Sequence, residues 1–251
     1  RDRAAAAARA GRIDPLKGLT GDKVWLFSGG QDHTVDRSVV DVLAGFYRNW
    51  IVGADLDYET PAEPGHAIPS QDDPAANPCP TTEPPYINLC PGLDAPGALL
   101  AHLLGPLQPK AAQADGELLA FDQRPYAAAA DASSLADTGY VYVPKGCRAG
   151  GCRLHVVFHG CRQSADQIGD RFVRGAGYNR WAEANHLVVL YPQTTPRYGW
   201  SYGWPPRWTY NPRACWDWWG YEDGDYLSRQ APQIRAVQTM VERLEAPPGS
   251  P

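Results

Sequence analysis

Residues 154–164 read LHVVFHGCRQS, and the fold and the chemistry of the protein are organised around this stretch. Its apolar, β-branched start predicts a buried strand, and the HGC triplet predicts a tight loop at the strand's carboxyl end. A glycine there lets backbone N–H groups turn toward a pocket, where they stabilise the anionic oxygen of an acyl-transfer transition state. We interpret the amide of Cys161 as that donor and expect His159 to be buried and hydrogen-bonded. The alternative is an ordinary strand and turn with a packed histidine.

The wider pattern of apolar segments predicts one α/β domain. The chain has 251 residues, of which 43% are hydrophobic, which suits one large core. We expect residues 1–245 to form this domain and residues 246–251 (APPGSP) to begin a linker. Strands are predicted at 23–27, 54–60, 116–121, 138–144 and 187–191, and helices at 4–10, 36–48, 97–107, 164–185 and 231–244. Residues 145–153 are expected to form a hairpin turn before the strand at 154, and the strand, helix and strand of 154–191 to form a parallel unit.

Charge and hydropathy exclude two classes of partner. The net charge is −5 and no basic run occurs, which argues against nucleic acid, because phosphate neutralisation needs clustered Lys and Arg. No apolar run approaches the roughly 20 residues of a membrane span. We expect a monomer that needs no cofactor.

Six cysteines indicate disulfides. Cys79 and Cys90, and Cys147 and Cys152, are close neighbours in Pro- and Gly-rich loops, so these pairs are the simplest pairing. Disulfides imply an oxidising compartment, and we expect a secreted protein.

A zinc site is the alternative use of the crowded cysteines and histidines between residues 147 and 161. On a strand, however, His155 and His159 would lie about 13 Å apart, too far to share one ion. We therefore expect no metal.

Residues 198–221 hold ten aromatic side chains, among them Tyr202 and Trp204, with Gly and Pro between them. Core aromatics usually have helical or alternating spacing, so this segment favours an exposed or pocket-lining surface. Aromatic faces suit a polymer chain or a sugar ring. A structural lid is the alternative.

An acid and an imidazole complete the chemical pattern. Asp32 follows the strand at 23–27, and His66 lies in the next loop, within PGHAIPS. With the HGC turn they make three of the four parts of a serine hydrolase site. Asp36 is the second choice of acid, but we expect it to cap the following helix.

The segments KVWLFSGGQD, PGHAIPS, LHVVFHGCRQSADQIGDRF, YNRWAEANHLVVLYPQ and NPRACWDWWGY resemble the catalytic domain of extracellular poly(3-hydroxybutyrate) depolymerases, a family of esterases. The resemblance implies an α/β-hydrolase-like fold with a mostly parallel sheet. Because the HGC turn follows Asp32 and His66, it also implies the circularly permuted form of that fold. In this reading Asp32 orients His66, and His66 is the general base and then the general acid.

The resemblance also implies further contacts. The Cys161 amide would be half of the oxyanion hole, and a disulfide from Cys161 to Cys215 would join the HGC turn to the aromatic segment. Trp218 matches a tryptophan that lines the polymer-binding cleft of the family. We expect Trp216, Trp219 and Tyr191 to contribute to the same substrate-binding surface.

The nucleophile is the part not found. No elbow of the form GLSAG occurs in the 251 residues. The one GxSxG match, GWSYG at 199–203, lies in the aromatic segment, and Ser28, which is preceded by Phe27, is a poor candidate. We therefore expect a chain truncated before residue 1, without the central nucleophile strand and inactive as given. Direct pairing of the strand at 23–27 with the strand at 154–158 would contradict this.

Two alternative functions stay open. One is another secreted esterase on the same scaffold, which cleaves other polyesters or feruloyl or aryl esters, because specificity depends on the shape of the pocket. The other is a non-catalytic protein that binds a polymer through residues 198–221.

Overall fold

A computed structural model describes residues 1–130, 134–200 and 208–246, except for the side chains of 129 and 130. Tyr202, Trp204 and most of the expected linker lie outside the described residues. The helices are α1 (Asp2–Arg9), α2 (Arg37–Tyr47), α3 (Ala95–Leu104), α4 (Arg124–Ala130), α5 (Ala165–Ile168), α6 (Arg171–Gly175), α7 (Tyr178–Asn185) and α8 (Pro232–Glu245). The strands are β1 (Val24–Phe27), β2 (Leu56–Glu59), β3 (Ile68–Pro69), β4 (Asn77–Pro78), β5 (Ile87–Leu89), β6 (Glu117–Asp122), β7 (Thr138–Val143), β8 (Arg153–Val156), β9 (Leu187–Tyr191), β10 (Arg197–Trp200) and β11 (Trp208–Asn211).

The largest sheet confirms the α/β class and has the strand order β6-β7-β9-β8. β8 and β9 are parallel, as the strand, helix and strand pattern predicted, and β7 is antiparallel to β6 and β9. The predicted hairpin between β7 and β8 is wrong, because β9 lies between them. The apolar run LVVLY of β9 explains its central position, since a strand covered on both faces must be apolar throughout.

Two smaller sheets position the loops of the site. β1 and β2 form a parallel pair, and β3, β5 and β4 form a short parallel sheet in a region where the sequence predicted no strand. Among the described residues, β1 pairs with β2 and β8 with β9, and no ladder joins β1 to β8. Direct pairing of β1 with β8, which would contradict the expected absence of the central nucleophile strand, is therefore not found in this part of the chain.

Helices cover both faces of the largest sheet. On one face Tyr191 and Val189 pack with Phe172 and with Ala182 of α7. On the other face Leu190 packs with Met240 of α8. Successive residues of β9 point to opposite faces, so one apolar strand supplies both cores. This packing anchors the carboxyl ends of β8 and β9, where the HGC turn begins.

The segment predicted as one helix over 164–185 is three short helices, α5, α6 and α7. Gly169 and Gly177 lie between them with φ of 63° and 96°. These left-handed conformations end a helix, and glycine adopts them without steric cost. Helix α4 has no counterpart in the sequence prediction.

All three predicted disulfides are present: Cys79–Cys90, Cys147–Cys152 and Cys161–Cys215. The first lies in the short β3-β5-β4 region, and the third joins the HGC turn to the segment after β11. No helix in the described part of the chain is long and apolar enough to cross a bilayer.

Candidate active site

Asp32 lies just beyond the carboxyl end of β1, where two glycines let the chain pass close to a neighbouring loop. A Cβ on Gly29 would lie 2.2 Å from the carbonyl oxygen of Pro64, so no other residue fits without a shift. The Asp32 Oδ1 atom accepts hydrogen bonds from the backbone N–H groups of Thr34 and Val35, each at 2.9 Å. These two bonds fix the carboxylate and leave Oδ2 to face the neighbouring loop.

His66 is hydrogen-bonded to the Asp32 carboxylate. Its Nδ1 lies 2.9 Å from Asp32 Oδ2. Because an ionised carboxylate only accepts, Nδ1 must carry the proton, and the lone pair of the neutral ring then lies on Nε2. The backbone N–H of His66 donates to Thr82 Oγ1 at 3.0 Å, which holds the loop in place. The ring is about 40% exposed, so a basic nitrogen faces open space.

The HGC turn presents a free amide at Cys161. The N–H of Gly160 donates to Gln163 Oε1 at 2.8 Å, and the N–H of Arg162 donates to the carbonyl of Arg213 at 2.7 Å. Among the described residues, the N–H of Cys161 donates to no protein group. The N–H groups of Gly160 and Arg162 are thus held by hydrogen bonds within the protein, whereas that of Cys161 stays available, as an oxyanion donor requires.

His159 stabilises this turn from inside the protein. Its side chain is 2% exposed, with Nδ1 2.8 Å from the Gly160 carbonyl and Nε2 accepting from the N–H of Thr194 at 3.1 Å. Burial lowers the pKa of His159 to about 4, so the ring is neutral at neutral pH. The expectation of a buried, hydrogen-bonded histidine is confirmed.

Gln163 is a residue of the site that the sequence analysis missed. Besides accepting from Gly160, its buried side chain donates to the carbonyls of Pro85 and Tyr86 at 2.9 and 3.2 Å. It thereby joins the HGC turn to the segment whose Tyr86 ring contacts His66. A glutamine two residues after the HGC turn was the available signal, but the sequence gives it no partner.

His66 and Cys161 line one cleft of about 920 Å³, although they are far apart in sequence. Thr34 and Val35, which orient Asp32, line the same cleft. His66 and Cys161 therefore face one space, and Asp32 is connected to it through its hydrogen bond to His66. Its other lining residues include Thr82, Tyr86, Arg162, Tyr210, Asn211, Pro212, Arg213 and Cys215.

The four expected substrate-binding aromatics lie in three different places. Trp218 and Trp219 line the cleft, and Trp218 is 68% exposed. Trp216 instead lines a separate apolar cavity of about 410 Å³ beside Phe158. The expectation for Tyr191 is corrected: its side chain is fully buried in the core, where its hydroxyl donates to Asn179 Oδ1 at 2.7 Å, so it offers no surface to a substrate.

One group of potential metal ligands occurs in the described ranges. Ligand atoms of Cys147, Cys152 and His186 lie within 4.8 Å of one another. The two sulfur atoms are joined in a disulfide, however, so they are not the thiolates that bind zinc.

Comparison with known proteins places this site in a family. No protein-family profile matches the chain. It is 37% identical over 247 residues to a poly(3-hydroxybutyrate) depolymerase from Delftia acidovorans, and the match covers 96% of this chain and 46% of that protein. It is 35% identical to a polyhydroxybutyrate depolymerase from Talaromyces funiculosus, over 90% of this chain and 66% of that protein. The chain thus spans about half of one relative and just under two thirds of the other.

Two solved structures share the fold. One is a PHB depolymerase with a serine-to-alanine substitution, complexed with an R3HB trimer, and it matches with a TM-score of 0.84 and 32% identity over 92% of this chain and 73% of that one. The other is the PHB depolymerase from Penicillium funiculosum, with a TM-score of 0.85 and 31% identity over 94% of this chain and 74% of that one. Given this agreement in sequence and fold, and a cleft that gathers an acid, an imidazole and a free amide, the chain belongs to the PHB depolymerase family.

Proposed function

We propose that this chain carries the acid, the base and one oxyanion donor of a serine-type esterase that hydrolyses poly(3-hydroxybutyrate). The observation that carries the proposal is the Asp32–His66 pair, which opens into the same cleft as the free amide of Cys161. The depolymerases that the chain resembles support the choice of substrate. The exposed Trp218 adds an apolar wall for an aliphatic polyester.

In the first half of the reaction, a serine oxygen attacks the ester carbonyl and a new C–O bond forms. Nε2 of His66 accepts the hydroxyl proton, and the Asp32 carboxylate stabilises the resulting imidazolium through Nδ1. The N–H of Cys161 donates to the oxygen that becomes negative. Each group acts more strongly on the transition state than on the ester, which is what accelerates the reaction.

The second half reverses these roles. His66 returns its proton to the departing alkoxide, so the C–O bond of the ester breaks and a hydroxyl end is released. Water then attacks the acyl-enzyme, with His66 again as base, and the bond between the acyl group and the serine breaks as His66 returns the proton to the serine oxygen. The product is a carboxylic acid, which ionises at neutral pH.

In this proposal the attacking serine comes from polypeptide outside residues 1–251, in the order of a circularly permuted hydrolase. Two observations support it. The one GxSxG match of the sequence, GWSYG at 199–203, begins within β10, which is antiparallel to β11, and β1 and β8 share no ladder in the described part of the chain. Residues 1–251 alone are then expected to be inactive. Three disulfides support an oxidising, extracellular location.

A fluorophosphonate probe tests the proposal on the product of the complete gene. We expect the probe to label one serine outside residues 1–251, and labelling to abolish release of 3-hydroxybutyrate from the polymer. The Ser28→Ala variant is the matched control and is expected to keep both properties, because Ser28 is buried at the end of β1. Absence of labelling, or labelling of Ser28, would contradict the proposal.

Polymer binding without catalysis is a second candidate, favoured by the hairpin of β10 and β11. Tyr198 pairs with Tyr210, and Trp200 pairs with Trp208. Paired residues share a face of a hairpin, as do alternate residues of a strand, so all four rings lie on one face. Each is more than half exposed. Adsorption to polymer granules by a gene product that the probe does not label would favour this function.

A further inference from the structure

Each cysteine of the Cys161–Cys215 disulfide has a strained neighbour. Arg162 and Ala214 both adopt the left-handed backbone region, with φ of 65° and 48°. For a residue other than glycine this conformation is costly, and such strain clusters at functional sites. The N–H of Arg162 also donates to the Arg213 carbonyl at 2.7 Å. The disulfide and this hydrogen bond therefore hold Arg162 and Arg213 on one rigid frame.

The two arginine side chains lie where two cavities adjoin. Arg162 and Arg213 line the 920 Å³ cleft that contains His66, and they also line a smaller cavity of about 360 Å³ beside Gln167. Both residues are exposed. Arg162 Nη1 lies 3.4 Å from the Tyr86 hydroxyl, which directs its guanidinium toward the wall that carries His66.

The charge around this pair is unbalanced. Neither arginine forms an ion pair within the described ranges, and neither cavity is lined by Asp or Glu. Seven other arginines of the described chain do pair with a carboxylate, as Arg171 does with Asp73 at 2.7 Å. In a chain of net charge −5, two unpaired guanidiniums next to the Cys161 amide mark a place for an anion.

We propose that Arg162 and Arg213 form a carboxylate-binding subsite that takes the free carboxyl end of a short hydroxyacid oligomer. The inference rests on the proposed function, because each ester cleavage creates a carboxylate inside this cleft. A guanidinium donates two parallel N–H bonds to a carboxylate, whereas an ester offers no negative charge to it. The subsite would therefore distinguish a chain end from the middle of a polymer.

Binding of two matched probes to residues 1–251 tests the subsite. The probes are the R3HB trimer as the free acid and the same trimer as its methyl ester, measured by calorimetry at neutral pH and low salt. We expect the acid to bind roughly tenfold more tightly, with the preference shrinking at high salt. Free 3-hydroxybutyrate, a third probe, should bind more weakly than the trimer acid if the oligomer is the ligand, and equal affinity of the two acids would overturn that assignment.

Three variants separate charge from fold. Arg162→Gln and Arg213→Gln are each expected to reduce the preference for the acid at least about threefold. Arg162→Lys, which keeps the charge but loses the two parallel donors, should retain a preference between that of the unaltered chain and that of Arg162→Gln. Arg148→Gln, which removes an exposed arginine paired with Glu117, should leave the preference unchanged.

The results distinguish this subsite from the proposed function. Equal affinity of acid and ester for the unaltered chain, or a full preference in both glutamine variants, would overturn the subsite and leave the esterase proposal intact. Failure of every trimer probe to bind would overturn the subsite and would also count against a polyester substrate.

Discussion

His66 lines the cleft, His159 is buried in the turn that carries Cys161, and the two side chains have opposite surroundings. The His66 side chain is about 40% exposed, is oriented by one carboxylate, and forms no hydrogen bond through Nε2 to any described residue. His159 is 2% exposed and uses both ring nitrogens in hydrogen bonds to the protein. An imidazole transfers protons only if one nitrogen can reach the substrate and its charged form is tolerated. The difference indicates that His66 is suited to proton transfer, whereas His159 stabilises the HGC turn.

Replacement of His66 gives the largest expected effect and tests the catalytic half of this comparison. In the complete gene product, His66→Ala should lower kcat for ester hydrolysis by at least about 10³-fold, because the serine loses its base. Adsorption to polymer granules should be unchanged. Equal loss of adsorption would instead indicate that His66 is structural.

Replacement of His159 tests whether this side chain stabilises the folded protein. His159→Ala should lower the free energy of unfolding by about 3 to 4 kcal/mol, since it opens a cavity and leaves the buried N–H of Thr194 unpaired. Urea unfolding of residues 1–251 measures this. His33→Ala, at an exposed histidine, is the control and should change stability by less than about 0.5 kcal/mol. A similar small change for His159→Ala would contradict the structural role.

Acidification should act through the same buried ring. Because the pKa of His159 in the folded protein is lowered from 6.5 to about 4, the unfolded chain binds the extra proton between these values. The contribution to stability is therefore complete above pH 6.5 and is lost as the pH falls toward 4, by about 2 to 3 kcal/mol. NMR titration of the histidine rings should find His159 still neutral at pH 5. A pKa near 6.5 would refute the mechanism.

Replacements of two tryptophans have the smallest expected effects, and they distinguish the cleft from the turn that His159 stabilises. Trp218→Ala should weaken binding of the R3HB trimer about five- to tenfold without changing stability, because Trp218 is an exposed wall of the cleft. Trp216→Phe should lower stability without changing binding of the trimer. It removes the bond from Trp216 Nε1 to the His159 carbonyl, 3.1 Å long, at a cost of about 1 kcal/mol in stability. If both variants weakened trimer binding equally, the separation of the two cavities would be wrong.

Local sequence patterns predicted much of this fold. Continuous apolar runs identified β1, β8 and β9, and glycine-rich exits placed Asp32 and the HGC turn beyond strand ends. Short-range spacing also paired the two nearest cysteine couples. These features depend on neighbours in the chain, which a sequence displays directly.

Other features depended on contacts between distant segments. Because β9 lies between β7 and β8, the predicted hairpin is wrong. Tyr191, which was expected on the substrate-binding surface, is buried in the core. Gln163 acquired its role only when the fold brought Pro85 and Tyr86 beside it. Strand order and burial follow from long-range packing, which residue spacing does not encode.

The sequence by itself determined the candidate groups, Asp32, His66 and the Cys161 amide, because each chemistry requires a particular side chain or turn. Only the tertiary structure decided that His66 and Cys161 line one cleft and that Asp32 bonds to His66. It also decided that, among the described residues, Nε2 of His66 has no hydrogen-bond partner and Arg162 and Arg213 form no ion pair. Residue type sets what a group can do. Position, burial and partners in space set whether it can act.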